Sequence, residues 1–162
     1  MRLISTAATD VGKVREGNED FFLVAEDLQL YVVADGMGGH QAGEYASQMV
    51  VEVIREVVSE QLDAVRAGTV GDGEPDEQSP AVACLREAIS EANRRVFSAS
   101  QENLELEGMG TTVTVVLVLG DQAFVGHVGD SRAYLLRAGQ LFQVTLDHSL
   151  VAEQVRMGLM TE

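Results

Sequence analysis

Hydrophobic residues follow two rhythms along this chain, and those rhythms divide it into elements. Runs of strand length, alternating or continuously apolar, occupy Leu3–Ala8, Phe21–Ala25 and Gln29–Ala34. The first two are separated by the polar loop Val14-Arg15-Glu16-Gly17-Asn18-Glu19-Asp20. Glu26-Asp27 turns the second run into the third, which predicts an antiparallel hairpin. From Gly43 to Leu62 the apolar positions Ala46, Val50, Val53, Ile54, Val57 and Val58 recur at helical spacing, as expected of an amphipathic helix packed on a sheet. A second helix is predicted over Ala81–Ser98, with Val82, Leu85, Ile89, Ala92 and Val96 on one face. Between them residues 63–80 lose the periodicity and collect glycine, proline and acids, so a mobile surface loop is expected there. After a connector, Gln101–Gly108, come the β-branched run Gly110–Leu119, a return strand Gln122–Val128, and a hairpin of Ala133–Leu136 with Leu141–Thr145. A last helical piece, Leu150–Met157, opens after Asp147-His148-Ser149. Consecutive hairpins with two long helices predict an α+β domain, its mainly antiparallel sheet covered by helices.

Length and composition narrow the picture. The 162 residues fit one domain with one sizeable core, and no apolar run reaches the length of a membrane span. The formal charge of −15 argues against nucleic acid or an anionic membrane surface as a partner and favours a cation. Met1-Arg2-Leu3-Ile4-Ser5 lacks the features of a secretory signal, and Cys84 is the only cysteine, so no internal disulfide can form. Both point to the cytoplasm, with Cys84 as a small core residue.

The chemistry centres on Tyr31-Val32-Val33-Ala34-Asp35-Gly36-Met37-Gly38-Gly39-His40-Gln41-Ala42-Gly43-Glu44, where an apolar strand ends in a lone carboxylate and a glycine-rich turn leads into a helix. Asp-Gly by itself is ordinary turn chemistry. Four glycines and a histidine within eight residues exceed what a turn needs, and they let backbone approach a ligand. Carboxylates also stand beside turns at Glu19-Asp20 and Gly129-Asp130, and the hairpin brings the first of these to Asp35. Gathering carboxylates is costly unless a cation sits among them, and hard oxygen ligands select Mg²⁺ or Mn²⁺. Such ions activate water and clamp phosphoryl oxygens, while Arg15 has the planar fork that holds phosphate. His127, alternating within a strand, reads as a packed, hydrogen-bonded histidine. His148 falls at a helix start.

The ordered set of motifs resembles the metal-dependent protein phosphatases of the PPM class, the type 2C serine/threonine phosphatases, in their bacterial form. The matching residues are Arg15-Glu16-Gly17-Asn18-Glu19-Asp20, Val33-Ala34-Asp35-Gly36-Met37-Gly38-Gly39-His40 with Ala42-Gly43-Glu44, and Gly108-Met109-Gly110-Thr111-Thr112. The match closes with His127-Val128-Gly129-Asp130-Ser131-Arg132-Ala133-Tyr134 and Thr145-Leu146-Asp147-His148-Ser149. The resemblance implies a β-sandwich flanked by helices, with two ions, or three, of Mn²⁺ or Mg²⁺ at one end. It implies that Asp35 bridges the metals, that the Gly36 carbonyl is a further ligand, and that Glu19 holds metal-bound water. Asp130 falls where bacterial members bind a third metal, and Arg15 where they bind the substrate phosphate. Some relatives carry a histidine directly after the Asp-Gly pair as a general acid; here that position is Met37, as in bacterial members, and His40 is the nearest substitute. The reaction implied is attack of metal-activated water on phosphoserine or phosphothreonine in proteins, opposing a serine/threonine kinase. Family members continue for roughly half as many residues again through two further aspartate motifs. The chain is therefore expected to be an incomplete domain over 1–162, with 146–162 the start of a flap segment, and to have little activity alone. A non-catalytic pseudophosphatase that binds phosphoprotein or a partner is the alternative.

Overall fold

The computed structural model describes residues 2–38, 41–69 and 79–159. Strand β1 (Asp20–Ala25) turns through Glu26–Gln29 into β2 (Leu30–Met37), and the pair is antiparallel with Asp20 opposite Asp35 and Ala25 opposite Leu30. Helix α1 (Gln41–Thr69) and helix α2 (Pro80–Glu102) follow. A short 3₁₀ turn, Leu104–Leu106, leads to β3 (Gly110–Thr111), β4 (Val113–Leu119) and β5 (Gln122–Val128). The main sheet has the order β1-β2-β4-β5, with β3 paired to the end of β2. Strands β6 (Tyr134–Arg137) and β7 (Gln140–Gln143) make a separate two-stranded ribbon, and α3 (Leu150–Arg156) follows it.

Alternation sets the two faces of the sheet apart. Leu30, Val32 and Ala34 of β2 and Val113, Val115, Leu117 and Leu119 of β4 point into one core with Val51, Ile54 and Val58 of α1 and Cys84, Leu85, Ala88 and Ala92 of α2. Helix α1 lies across β1, β2 and β4, while α2 packs on α1 and reaches β5. The intervening residues of β2, Val33 and Asp35, are exposed on the opposite face. Apolar contacts thus hold one side of the sheet, and its polar groups collect on the other.

Four expectations change. Helix α1 continues to Thr69, so residues 63–69 of the expected loop are helical. The cause is that Leu62 and Val65 prolong the apolar stripe and are buried, and Arg66 donates to the carbonyl of Asp27 at 3.4 Å. Pro80, expected to close the loop, begins α2 at a position suited to proline, and residues 70–78 lie outside the described residues. The expected first strand, Leu3–Ala8, has no regular structure; Ile4 is 87% exposed. No strand among the described residues offers it a ladder, and its neighbourhood is tied by side chains instead: Ser5 Oγ donates to Glu26 Oε1 at 3.0 Å and Asn18 Nδ2 to Thr9 Oγ1 at 2.7 Å. The β-branched run breaks at Thr112 without a shift of register, because the N–H of Asp35 is taken by the Thr112 hydroxyl at 3.0 Å rather than by its carbonyl. No helix among the described residues is long and apolar enough to cross a membrane.

Candidate functional site

The β1–β2 hairpin brings two of the expected carboxylate segments together. Asp20 and Asp35 are direct cross-strand partners, and like charges so placed repel. Asp35 titrates above its ordinary value: loss of water around it contributes most, followed by the Asp20 carboxylate and a hydrogen bond shared with Asp20. Asp130 pushes in the same direction, whereas Arg15 pulls the value down. Asp35 therefore feels Asp20, Asp130 and Arg15 at once, although Asp130 lies far along the chain from the Arg15–Asp20 segment.

Glu19 enters from behind Asp35, at a junction built from backbone. Its carbonyl accepts the N–H of Gly36 at 3.1 Å and the hydroxyl of Ser47 at 2.6 Å, which joins the start of β1, the end of β2 and the first turns of α1. A side chain on either glycine of this junction would enter space that is already filled. A Cβ on Gly36 would overlap the Gly43 carbonyl oxygen and stand 2.6 Å from the Glu19 carbonyl oxygen. A Cβ on Gly43 would overlap Glu19 Oε2. The Glu19 carboxylate is thus seated against α1, next to the Asp35-Gly36 peptide.

Asp130 is carried by the turn after β5. Gly129 there has φ 108°, and a Cβ on it would meet Thr112 Cγ2 at 2.7 Å, so this turn can approach the β3–β4 break only with glycine at its start. Asp35, Asp20 and Ser131 line one cavity of about 210 Å³ with Ala8, Thr9, Phe22 and Val33. A larger cavity of about 550 Å³ lies between α2 and the β3 end, lined by Ile89, Val96, Phe97 and Met109 among others, but it holds no carboxylate. Chemistry, not size, marks the smaller one.

The expected residues Arg15, Glu19, Asp35, Gly36 and Asp130 are accordingly in one neighbourhood, and His40 lies outside the described residues. Reasoning from sequence passed over Asp20 as a site group in its own right, and gave Thr112 and Ser131 no role beyond their place in the motifs. The period-two alternation that puts Asp20 on the face of Asp35 was the available signal. His127 is hydrogen-bonded through Nδ1 to Thr114 Oγ1 at 2.9 Å, while its buried Nε2 has no partner among the described residues. His148 precedes the N-cap Ser149 and stacks against His127 with ring centroids 5.0 Å apart.

The donor chemistry fits a hard divalent cation in part. Carboxylates from three segments converge with no thiol or imidazole among them, and the raised Asp35 value reflects loss of water together with repulsion, which a cation would relieve. Among the described residues no three His, Cys, Asp or Glu side chains stand at ligand spacing, so these residues offer part of a shell.

Known proteins are similar to this chain in sequence and fold. The family model for Protein phosphatase 2C matches residues 13–157. The serine/threonine phosphatase Stp of Listeria welshimeri is 36% identical over 153 residues, which covers 93% of this chain and 56% of that protein. The serine/threonine protein phosphatase PstP of Mycobacterium tuberculosis is 39% identical over 155 residues, covering 96% of this chain and 27% of that protein. The crystal structure of the M. tuberculosis phosphatase PstP/Ppp superposes with a TM-score of 0.74 at 35% identity over 93% of this chain and 57% of that one. A structure of the PstP catalytic domain in complex with two manganese ions gives 0.73 at 37% identity, over 93% and 58%. The chain therefore spans little more than half the length of Stp and of these solved structures.

Proposed function

This chain belongs to the protein phosphatase 2C family, and on that premise we propose that it carries the Asp35 side of a Mn²⁺- or Mg²⁺-dependent protein phosphatase acting on phosphoserine and phosphothreonine. The observation that carries the reading is the convergence of Asp20, Asp130 and Arg15 on Asp35, at a cavity lined by Asp20, Asp35 and Ser131. Asp35 and the Gly36 carbonyl would hold the cation, with Asp130 contributing to a further one. When bound, the ions supply Lewis acidity toward water and phosphoryl oxygen. Glu19, fixed by its own backbone bonds to Gly36 and Ser47, orients water beside Asp35. Arg15 binds the phosphate through its fork and partly offsets the local negative charge, without which a phosphorylated side chain would be repelled. The partners are phosphoproteins and the serine/threonine kinase whose action is reversed. A reducing cytoplasm suits the lone, buried Cys84.

The test is Mn²⁺-dependent release of phosphate from a phosphothreonine peptide by the complete gene product. Asp35→Asn is expected to lower kcat/KM by about 10³ or more, the scale at which loss of a preorganised electrostatic group is felt. A variant within threefold of the wild type would overturn the assignment.

A further inference from the structure

Thr112 has no role in that reading, yet it touches both the Asp35 strand and the Asp130 turn. Its hydroxyl accepts the Asp35 N–H at 3.0 Å, and its own N–H donates to the Asp35 carbonyl at 2.9 Å. The same hydroxyl lies 2.7 Å from Ser131 Oγ. Two residues along β4, on the same face, Thr114 Oγ1 donates to the Ser131 carbonyl at 3.0 Å. Thr112 Cγ2 fills the space that a side chain on Gly129 would need. Asp35 is thus gripped by its backbone, and Ser131 by both side chain and backbone, from adjacent positions of one strand.

Counting protons orders this network. A hydroxyl has one hydrogen to give. That of Thr114 goes to the Ser131 carbonyl, so His127 Nδ1 carries the proton it shares with Thr114. Thr112 already accepts from Asp35, and either hydroxyl of the Thr112–Ser131 pair can donate to the other. Ser131 lines the cavity that contains Asp20 and Asp35, so this pair reaches the carboxylates.

We propose that Thr112 is a positioning residue: its hydroxyl fixes the spacing between Asp35 and the Asp130-Ser131 turn, and through that spacing sets how tightly the carboxylate cluster holds a divalent cation. The inference rests on the phosphatase reading for the identity of the cation, but the geometry it invokes is independent of it. Thr112→Val keeps the shape of the side chain and removes the hydroxyl; Thr112→Ser keeps the hydroxyl and removes the methyl.

The experiment uses two readouts on the 162-residue chain. Binding of Mn²⁺ is followed by loss of the electron paramagnetic resonance signal of the free ion, and hydrogen exchange is measured at the Asp35 amide by NMR without metal. Thr112→Val is expected to weaken Mn²⁺ binding about tenfold and to speed Asp35 amide exchange about tenfold, the scale of one lost hydrogen bond. Thr112→Ser is expected to restore both. The proposal is overturned if Thr112→Val exchanges like the wild type, whatever the metal does. It is also overturned if Thr112→Ser fails as Thr112→Val does, since the methyl packed against Gly129 would then be what matters. Asp35→Asn separates the two readings. If Mn²⁺ binds equally with and without the Asp35 carboxylate, the phosphatase reading of this cluster falls. If Asp35→Asn abolishes binding while Thr112→Val leaves it intact, only the role of Thr112 falls.

Discussion

Placing one methyl group at either side of the glycine junction should give opposite results. Gly36 does not have a positive φ, so alanine there meets no backbone objection and the whole penalty is steric. The new Cβ would overlap the Gly43 carbonyl oxygen and lie 2.5 Å from the Gly43 carbonyl carbon and 2.6 Å from the Glu19 carbonyl oxygen. All three are main-chain atoms of packed elements and cannot rotate away. Forcing such a group into a close-packed site costs about 1–3 kcal/mol. Moving Glu19 away from Gly36 also gives up their 3.1 Å hydrogen bond, worth about 1–2 kcal/mol when a group is left unpaired. Gly36→Ala should therefore lose about 2–5 kcal/mol, which for a domain of this size lowers the melting temperature by roughly 5–15 °C. At Gly43 the overlapping atom is Glu19 Oε2, the end of a side chain that can swing aside, although the Gly36 carbonyl carbon at 3.0 Å leaves little slack. Alanine in place of glycine inside a helix returns about 1 kcal/mol, so Gly43→Ala should melt within a few degrees of the wild type. Its cost falls on the seat of the Glu19 carboxylate. Thermal unfolding by circular dichroism, in EDTA and at one protein concentration, decides the matter. If Gly36→Ala melts within 2 °C of the wild type, or Gly43→Ala proves the weaker of the two, the junction is not the rigid contact inferred from it.

Two further outcomes concern pH. Asp35 titrates above its ordinary value in the folded protein, so the cost of its lost water and of repulsion by Asp20 is absent while both states are protonated in acid and sets in as pH rises past the ordinary value toward the folded one. In EDTA, Asp35→Asn should accordingly be more stable than the wild type to urea at pH 7, with the difference vanishing toward pH 3; equal urea midpoints at pH 7 would contradict it. The second outcome has the reverse sign. Hydrogen bonds from Arg94 and Arg95 hold the Glu91 carboxyl down at about 2, and Arg95 lowers Glu56 as well. A depressed folded value gives stability that is present above the ordinary 4.5 and lost as pH falls from there toward about 2. Arg95→Met should flatten the fall of the urea midpoint across that window, and 1 M salt should do the same to the wild type because the groups face solvent. A variant whose midpoint falls as steeply as the wild type at low salt would refute it.

How far the sequence disclosed this arrangement depends on the range of the interaction. The hairpin was legible, because alternation and a short turn are local signals, and they place Asp20 opposite Asp35. Helices α1 and α2 were legible from their stripes, but the end of α1 was not: after Leu62 the next inward residue is Val65, and Gly68 in the following turn looks like a stop when read alone. Leu3–Ala8 has the pattern of a strand and lacks a partner among the described residues, which no local reading could tell. Thr112 shows the limit most clearly. Its β-branched neighbours predict uninterrupted strand, and only its contact with Asp35, 77 positions away, reveals that its side chain replaces its carbonyl as acceptor. The cluster itself was inferred from motif order, and the backbone junction that makes it rigid was invisible until Glu19, Gly36 and Gly43 were seen together.

Cys84 equips the molecule with a clock. The thiol is 1% exposed between the two long helices, and burial, then the nearby Glu87, pushes its pKa up, so almost none of it is thiolate at neutral pH. An alkylating reagent has no other sulfhydryl to consume and must wait until α2 lifts from the sheet. The rate of labelling then counts openings of the core directly, for the parent chain and every variant above, with no dye or added probe.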